Sequence, residues 1–285
     1  MGISKSEIKS IVEKQVKECK SNNFGVLGEP AEPMWGDAIV GFSRGGDPYY
    51  SFLKKDIWEF HWSPAEAFKL GKKGADVESK DLCIISVALP QTQKTKEDNA
   101  SAVKDPAQRW LVSRGEWEKL ITGISQKIVD ELEEKGVEAV AIDLIKEFSR
   151  DTSEKYGIAS KWSHRHAAFI SGLGTFGHSD GLITKKGKAM RFTTILIKAD
   201  IKADIKEYEK YNEWCKFAKD GSCFDCMKRC PVGAITKDGH DKEKCMKFLE
   251  HIKEKIVSGG ILNPEYISGC GFCQTSVACQ DGVPV

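Results

Sequence analysis

Ile8, Ile11, Val12 and Val16 recur at helical spacing near the start of the chain. Ser4 followed by Glu7 supplies a capping box, so the pattern predicts an opening helix. FGVLG (24–28) reads as a short strand, and the Gly- and Pro-rich stretch 28–48 reads as loop. LCIISVAL (82–89) is nearly all apolar and stops at Pro90, the pattern of a strand buried on both faces. The polar run 91–108 reads as an excursion over the surface. Trp117, Leu120, Ile121, Ile124, Ile128 and Leu132 mark an amphipathic helix ending near Gly136, and VEAVAID (137–143) predicts a second buried strand. A helix over 163–171, a glycine-rich turn and the strands GLIT and RFTTILI complete an α/β pattern. After about residue 205 the chain becomes Lys- and Cys-rich and poor in strand signals. The expected division is therefore an α/β domain over 1–205 and a small domain over 206–285.

Composition narrows the class. The 40% hydrophobic and 30% charged content is that of a water-exposed globular chain. No apolar run reaches the ~18–20 residues of a membrane span, and the N-terminus lacks an apolar signal core, so a cytoplasmic protein with no membrane contact is expected. A net charge of +1 gives no broad electrostatic footprint for a polyanion such as tRNA.

The cysteines carry the chemistry. Of ten, Cys19 and Cys83 stand alone and read as core residues. The other eight are Cys215, Cys223, Cys226, Cys230, Cys245, Cys270, Cys273 and Cys279, a density that in a reducing compartment points to metal. CFDCMKRCP (223–231) matches most of a ferredoxin cluster motif, except that Asp220 stands where the first cysteine belongs; Cys215 is the expected replacement, with Asp220 itself as the alternative ligand. In two-cluster ferredoxins the cysteine before proline serves the other cluster. That rule assigns Cys215, Cys223, Cys226 and Cys279 to one 4Fe–4S cluster and Cys230, Cys245, Cys270 and Cys273 to the second. Zinc knuckles are the alternative use of such pairs.

The segment SHRHAAFISGLGTFGHSDGLITKKG (163–187) resembles the AGLG-x-x-G…LLI block of epoxyqueuosine reductases and reductive dehalogenases. DPYYSFLKKDIWEFHWSPAEAF, LCIISVALP and the Cys-x7-Cys-x2-Cys-x3-Cys-Pro spacing are similar to a compact, double-cluster subgroup of the same superfamily. The resemblance implies a nitroreductase-like α/β domain of the corrinoid-binding type, followed by a small two-cluster ferredoxin-like domain. It implies two 4Fe–4S clusters and a base-off cobalamin, with electrons supplied by a low-potential donor such as a ferredoxin or flavodoxin. Gly172, Leu173, Gly174, Thr175, Phe176, Gly177, His178, Leu182, Ile183 and Arg191 are then the expected corrinoid contacts. Asp143 matches the family's acidic proton donor by position, but the segment after it differs from the family's, so Glu147 and Tyr156 are rivals. His164 and His166 are further catalytic candidates; two positions apart on a helix, they point in different directions. The expected reaction is cobalamin-dependent reduction of a small molecule. Epoxyqueuosine in tRNA or as a nucleoside is one alternative, and non-catalytic electron transfer or corrinoid handling another. Full-length epoxyqueuosine reductases carry a helical-repeat tail that grips tRNA, whereas this chain ends six residues after Cys279, which favours the small substrate.

Overall fold

The computed structural model describes residues 2–258 and 269–285. In chain order the front part holds α1 (Lys5–Lys17), β1 (Ile39–Arg44), α2 (Pro48–Ile57), α3 (Pro64–Gly71), β2 (Leu82–Pro90), α4 (Gln93–Ser101), α5 (Gln108–Gly115), α6 (Trp117–Glu134) and β3 (Ala139–Ala141). It continues with β4 (Arg150–Ser153), β5 (Gly157–Ser160), α7 (His164–Ile170), β6 (Gly174–Phe176), β7 (Leu182–Thr184) and β8 (Met190–Lys198). The cysteine-rich part holds α8 (Lys216–Asp220), α9 (Asp225–Arg229), β9 (Ile235–Thr236), β10 (Gly239–His240) and α10 (Lys242–Ser258).

The main sheet has the order β1–β2–β8–β3 and is antiparallel throughout. Strand alternation sends the side chains of β2 into two separate cores. Cys83, Ile85, Val87 and Leu89 meet the apolar stripes of α1 and α6, including Ile8, Val12, Leu120 and Ile124. Leu82, Ile84 and Ala88 face α2, α3 and α7 through Leu53, Phe68 and Phe169. β8 repeats the pattern, with Ile195 and Ile197 on the first face and Phe192 and Leu196 on the second. Each such Leu or Ile, fully removed from water, stabilises the sheet by about 1.5–3 kcal/mol. This double burial explains why LCIISVAL carries no polar alternation.

Ser4 and Glu7 form the expected capping box on α1. Two other expectations are corrected. FGVLG is not a strand: Gly25–Leu27 form a 3₁₀ turn closed by an isolated bridge between Phe24 and Glu29. The polar run 91–108 is no surface excursion either, since it forms α4 and leads into α5, with Thr95, Lys96 and Asn99 buried.

Those two helices are the platform on which the cysteine-rich part sits. Asn99 Nδ2 donates to the Cys270 carbonyl at 3.2 Å and to Thr275 Oγ1 at 2.9 Å. Arg229 Nη2 donates to the carbonyls of Asn99, Ala100 and Ala102 at 2.8, 2.8 and 2.7 Å, satisfying groups that the C-terminus of α4 leaves open. The same guanidinium lies over the Phe272 ring at 4.6 Å. Trp110 Nε1 donates to the Gly269 carbonyl at 3.1 Å, and its indole packs so closely on Gly271 that a Cβ there would fall inside the ring. Gly271 also has φ +74°, a conformation that costs other residues about 1–2 kcal/mol. Gly271→Ala is therefore expected to destabilise the docked cysteine-rich part by more than that backbone cost alone, read as a lower urea midpoint and earlier proteolysis after residue 215. An unchanged midpoint would contradict the docking described.

Candidate functional site

β3 delivers Asp143 to a buried corner, and β8 supplies the groups around it. The Asp143 carboxylate accepts the hydroxyl proton of Thr193 through Oδ2, and His164 Nε2 lies 3.5 Å from its Oδ1. His164 is held by a second contact: its Nδ1 is 2.9 Å from Thr194 Oγ1, which also accepts the indole N–H of Trp162 at 3.2 Å. With one lone pair of Thr194 so engaged, its own O–H is placed to donate to Nδ1, which leaves the ring proton on Nε2, facing Asp143. Phe148 packs edge-on against the imidazole at 5.4 Å. Burial alone would push the Asp143 pKa up, but the His164 imidazole and the Thr193 hydroxyl outweigh it and hold the group below the usual carboxylate range. Arg191 completes the corner. It pairs with Glu118 at 3.4 Å and lies over the Trp117 ring, and burial pushes its pKa down to about 10.

His166 and Tyr156 belong elsewhere. His166 accepts from or donates to Ser163 Oγ at 2.7 Å and packs on Phe176 and Tyr211; burial first, and Arg165 next, push it down to about 3. Tyr156, at the tip of the β4–β5 hairpin, donates to Asp56 Oδ2 at 2.7 Å and is 39% exposed. Neither reaches Asp143, as the opposed directions of His164 and His166 on α7 require. Glu147 is exposed.

The glycine turn answers to protein contacts. Gly172 has φ +79°, and a Cβ on it would press on the Ile205 carbonyl. A Cβ on Gly174 would collide with the Ile183 carbonyl across the β6–β7 pair. Thr175 Oγ1 accepts the Trp214 N–H at 2.9 Å, and the Phe176 N–H donates to the Tyr211 carbonyl at 2.8 Å, so residues 211–214 cover the turn. Gly174, Thr175, Phe176, Gly177, Leu182 and Ile183 are buried; Gly172, Leu173 and His178 are half-buried and are the parts left to meet a ligand. His178 Nε2 donates to the Thr236 carbonyl at 2.6 Å, tying the turn to the cysteine-rich part.

None of the eight clustered cysteines is in a disulfide. Cys279 lies within electrostatic reach of Cys215 and Cys223, and Cys226 of Cys279 and Cys215. Cys270 and Cys273 each neighbour Cys245 and Cys230. Cys226 and Cys273 also sense one another, so the two groups adjoin. Burial, with repulsion between neighbouring thiolates, pushes the Cys226 thiol up to about 11 against the pull of Lys188, and the Cys270 thiol up to about 12. A metal cluster would reverse that preference and release the protons. Among the described residues, no three His, Cys, Asp or Glu side chains converge to hold a single metal ion. A tetrahedral zinc site needs thiolate sulfurs about 3.8 Å apart, from its Zn–S bond length; a cluster holds them wider, around a four-iron core. The Cys230 sulfur also accepts the Ala234 N–H at 3.2 Å. Asp220 turns away: it is exposed and caps the Ser222 N–H at 2.8 Å, while Cys215 is buried at the start of α8.

Sequence reasoning missed several residues here. Thr193 and Thr194 had a visible signal, two polar residues inside the apolar strand RFTTILI. Lys188 had none: it reads as one more base in KKGK, yet it is 3% exposed and adjoins Cys279, Cys273, Cys226 and Cys215. Arg114 of α5 lies within electrostatic reach of Cys270 and Cys273 on one side and of Arg191 and Arg165 on the other. It thereby joins the cysteine cage to the Asp143 corner.

No protein-family model matches the chain. Over 214 residues it is 25% identical to an epoxyqueuosine reductase of Lactococcus garvieae (strain Lg2), covering 72% of this chain and 53% of that one. It is 27% identical over 201 residues to an epoxyqueuosine reductase of Bacillus anthracis, covering 67% and 46%. The chain thus spans about half the length of the curated relatives it matches. Among solved structures, the epoxyqueuosine reductase of Streptococcus thermophilus superposes with a TM-score of 0.54 at 17% identity, over 97% of this chain and 66% of that one. A selenomethionine-labelled epoxyqueuosine reductase superposes with a TM-score of 0.50 at 16% identity. Sequence and mixed α/β fold agree in their likeness to epoxyqueuosine reductases.

Proposed function

We propose that this protein is an iron–sulfur reductase that passes electrons through two 4Fe–4S clusters to the Asp143 corner, where an epoxyqueuosine-type substrate is reduced. The observation that carries the reading is the Arg114 junction, which sets the Cys270–Cys273 cage beside Arg191 and, through it, Asp143 and His164. The names of the matching relatives support epoxyqueuosine, in tRNA or as a nucleoside, over an unrelated small molecule. Cys215, Cys223, Cys226 and Cys279 would hold one cluster. Cys230, Cys245, Cys270 and Cys273 would hold the other, nearer the corner. Electrons would come from a low-potential carrier such as a ferredoxin or flavodoxin.

The corrinoid that the resemblance implies fits this corner in one respect. His164 Nε2 is a buried polar atom whose one neighbour, the Asp143 carboxylate, stands at 3.5 Å and leaves its hydrogen-bonding capacity poorly used. Arg191, with Leu173 and His178 from the turn, would hold the group; the buried glycines would not. Bound there, a corrinoid supplies a low-potential cobalt that delivers electrons to the substrate. The protein's own part is proton control. Asp143, held below the usual carboxylate range, is ionised at neutral pH, so it orients a donor instead of being one. His164 Nε2–H is the donor it orients, and Thr193 and Thr194 fix the two side chains in place. Phe148, edge-on to the imidazole, and the buried Trp162 line it with apolar surface that limits water's access to that proton.

Two outcomes follow. Asp143→Asn should lower stability at pH 7 by about 1.5–3 kcal/mol, the range for a hydrogen bond to a charged group. The native-state pKa is depressed, so the wild-type advantage should stay constant from neutral pH down to about pH 4 and vanish only below the unfolded value of about 3.9. An advantage that fades between pH 7 and 5 would contradict the assigned ionisation. In turnover, protein loaded anaerobically with iron, sulfide and cobalamin, and supplied with a chemically reduced low-potential donor such as flavodoxin, should convert epoxyqueuosine to queuosine in a tRNA stem-loop or as the nucleoside. His164→Ala should slow this roughly 10²–10⁴-fold at unchanged iron content. Loaded wild-type protein that reduces neither substrate would refute the epoxyqueuosine assignment.

A further inference from the structure

Lys188 is a buried cation that forms no ion pair with a carboxylate among the described residues. It is 3% exposed, and among the described residues its ammonium has one hydrogen-bonded oxygen partner, Ser179 Oγ at 2.7 Å, itself in a buried side chain. Its position is fixed at both ends. The Lys188 N–H donates to the Cys279 carbonyl at 2.9 Å, and its stem lies against Gly181, where a Cβ would come within 2.8 Å of Cδ. The ammonium contacts the Cys279 thiol, while Ser179, its oxygen partner, contacts the Cys273 thiol. Cys279 belongs to the first cysteine set and Cys273 to the second. One lysine therefore touches one cage and reaches the other through one hydroxyl.

An ammonium removed from water without a counter-charge is unfavourable, so a buried lysine demands an anion. Among the described residues, the groups that favour its charge are the thiols of Cys279, Cys273, Cys226 and Cys215. A four-iron cluster with four thiolates is an anion, and each electron it accepts makes it more negative. A fixed positive charge beside it favours the reduced form. Charge and hydrogen bonding to the sulfurs are the means by which a protein sets cluster potential.

We propose that Lys188 is a shared counter-charge for both clusters, raising the reduction potential of each and setting the driving force with which electrons reach the Asp143 corner. It rests on the two-cluster reading above. As a positioning residue that touches no substrate, it is tested through potential.

The experiment is a redox titration, followed by paramagnetic resonance, of anaerobically reconstituted wild type, Lys188→Met, Lys188→Gln and Lys188→Arg. Both neutral variants should disfavour reduction of both clusters at least tenfold, a downward shift of about 59 mV or more for a one-electron couple. Lys188→Arg, which keeps the charge, should recover most of it. Neutral variants with full iron content and wild-type potentials would overturn the proposal, and a shift confined to one cluster would overturn the shared role. If the neutral variants do not assemble clusters, wild type grown on ¹⁵N-lysine decides. Pulsed resonance should find a weak nitrogen coupling at both reduced clusters, and its absence would overturn the proposal. Wild-type protein that holds no cluster at all would refute the functional reading itself, whereas clusters indifferent to residue 188 would refute this inference alone.

Discussion

The cysteine-rich part has almost no core of its own. Among the described residues its own buried cluster is Cys226, Ile235 and Val277, Phe272 is buried under Arg229, and the Ile252 of α10 buries itself against Leu111 of α5. A buried set this small stabilises little by itself, so its structure depends on what it is docked to and on what its thiols bind. The docking is polar. Arg229 gathers three carbonyls at the end of α4, Asn99 bridges to Cys270 and Thr275, and Trp110 closes over Gly271. These contacts fix where the cysteine cages stand relative to β3 and β8, and therefore which of them adjoins the Asp143 corner.

That dependence explains where the sequence misleads. QTQKTKEDNA looks like solvent-facing loop because its residues are polar, but Lys96 and Asn99 are buried as hydrogen-bonding partners of another segment, and Thr95 is buried against Thr92 at the start of the helix. Polarity signals water only when no other polar surface is available to the chain. The glycines of GLGTFG fail in a similar way: they suggest close approach of a ligand, and in the structure the close approach is by the chain itself, at Ile183 and Ile205. Tyr156 and His166 lie near Asp143 in sequence, yet the β4–β5 hairpin and the direction of α7 carry them to another face.

The legible parts share a local cause. The capping box of α1, the amphipathic stripe of α6 and the apolar runs of β2 and β8 all express burial along one element, which periodicity reports directly. Cysteine spacing is legible because cluster ligation constrains sequence as well as space. Asp220 is intelligible only with the fold in view, where its carboxylate caps Ser222 and Cys215 stands at the buried position.

Buried charge marks both ends of the proposed electron route. At one end Asp143 is kept ionised by His164 and Thr193; at the other Lys188 sits among thiols with, among the described residues, a serine as its one oxygen partner. Each arrangement is costly in an apolar interior unless a partner is present, and under the proposed function a metal cluster is that partner in the cysteine cages. The account therefore stands on cluster content. Iron and acid-labile sulfide analysis with a Mössbauer spectrum of ⁵⁷Fe-reconstituted, anaerobic protein measures it most directly. The account predicts about eight iron atoms per chain, all in cubane-type environments, since eight thiolates serve two four-iron clusters. Native-folded protein that saturates near four iron atoms, or that takes zinc in their place, would contradict it.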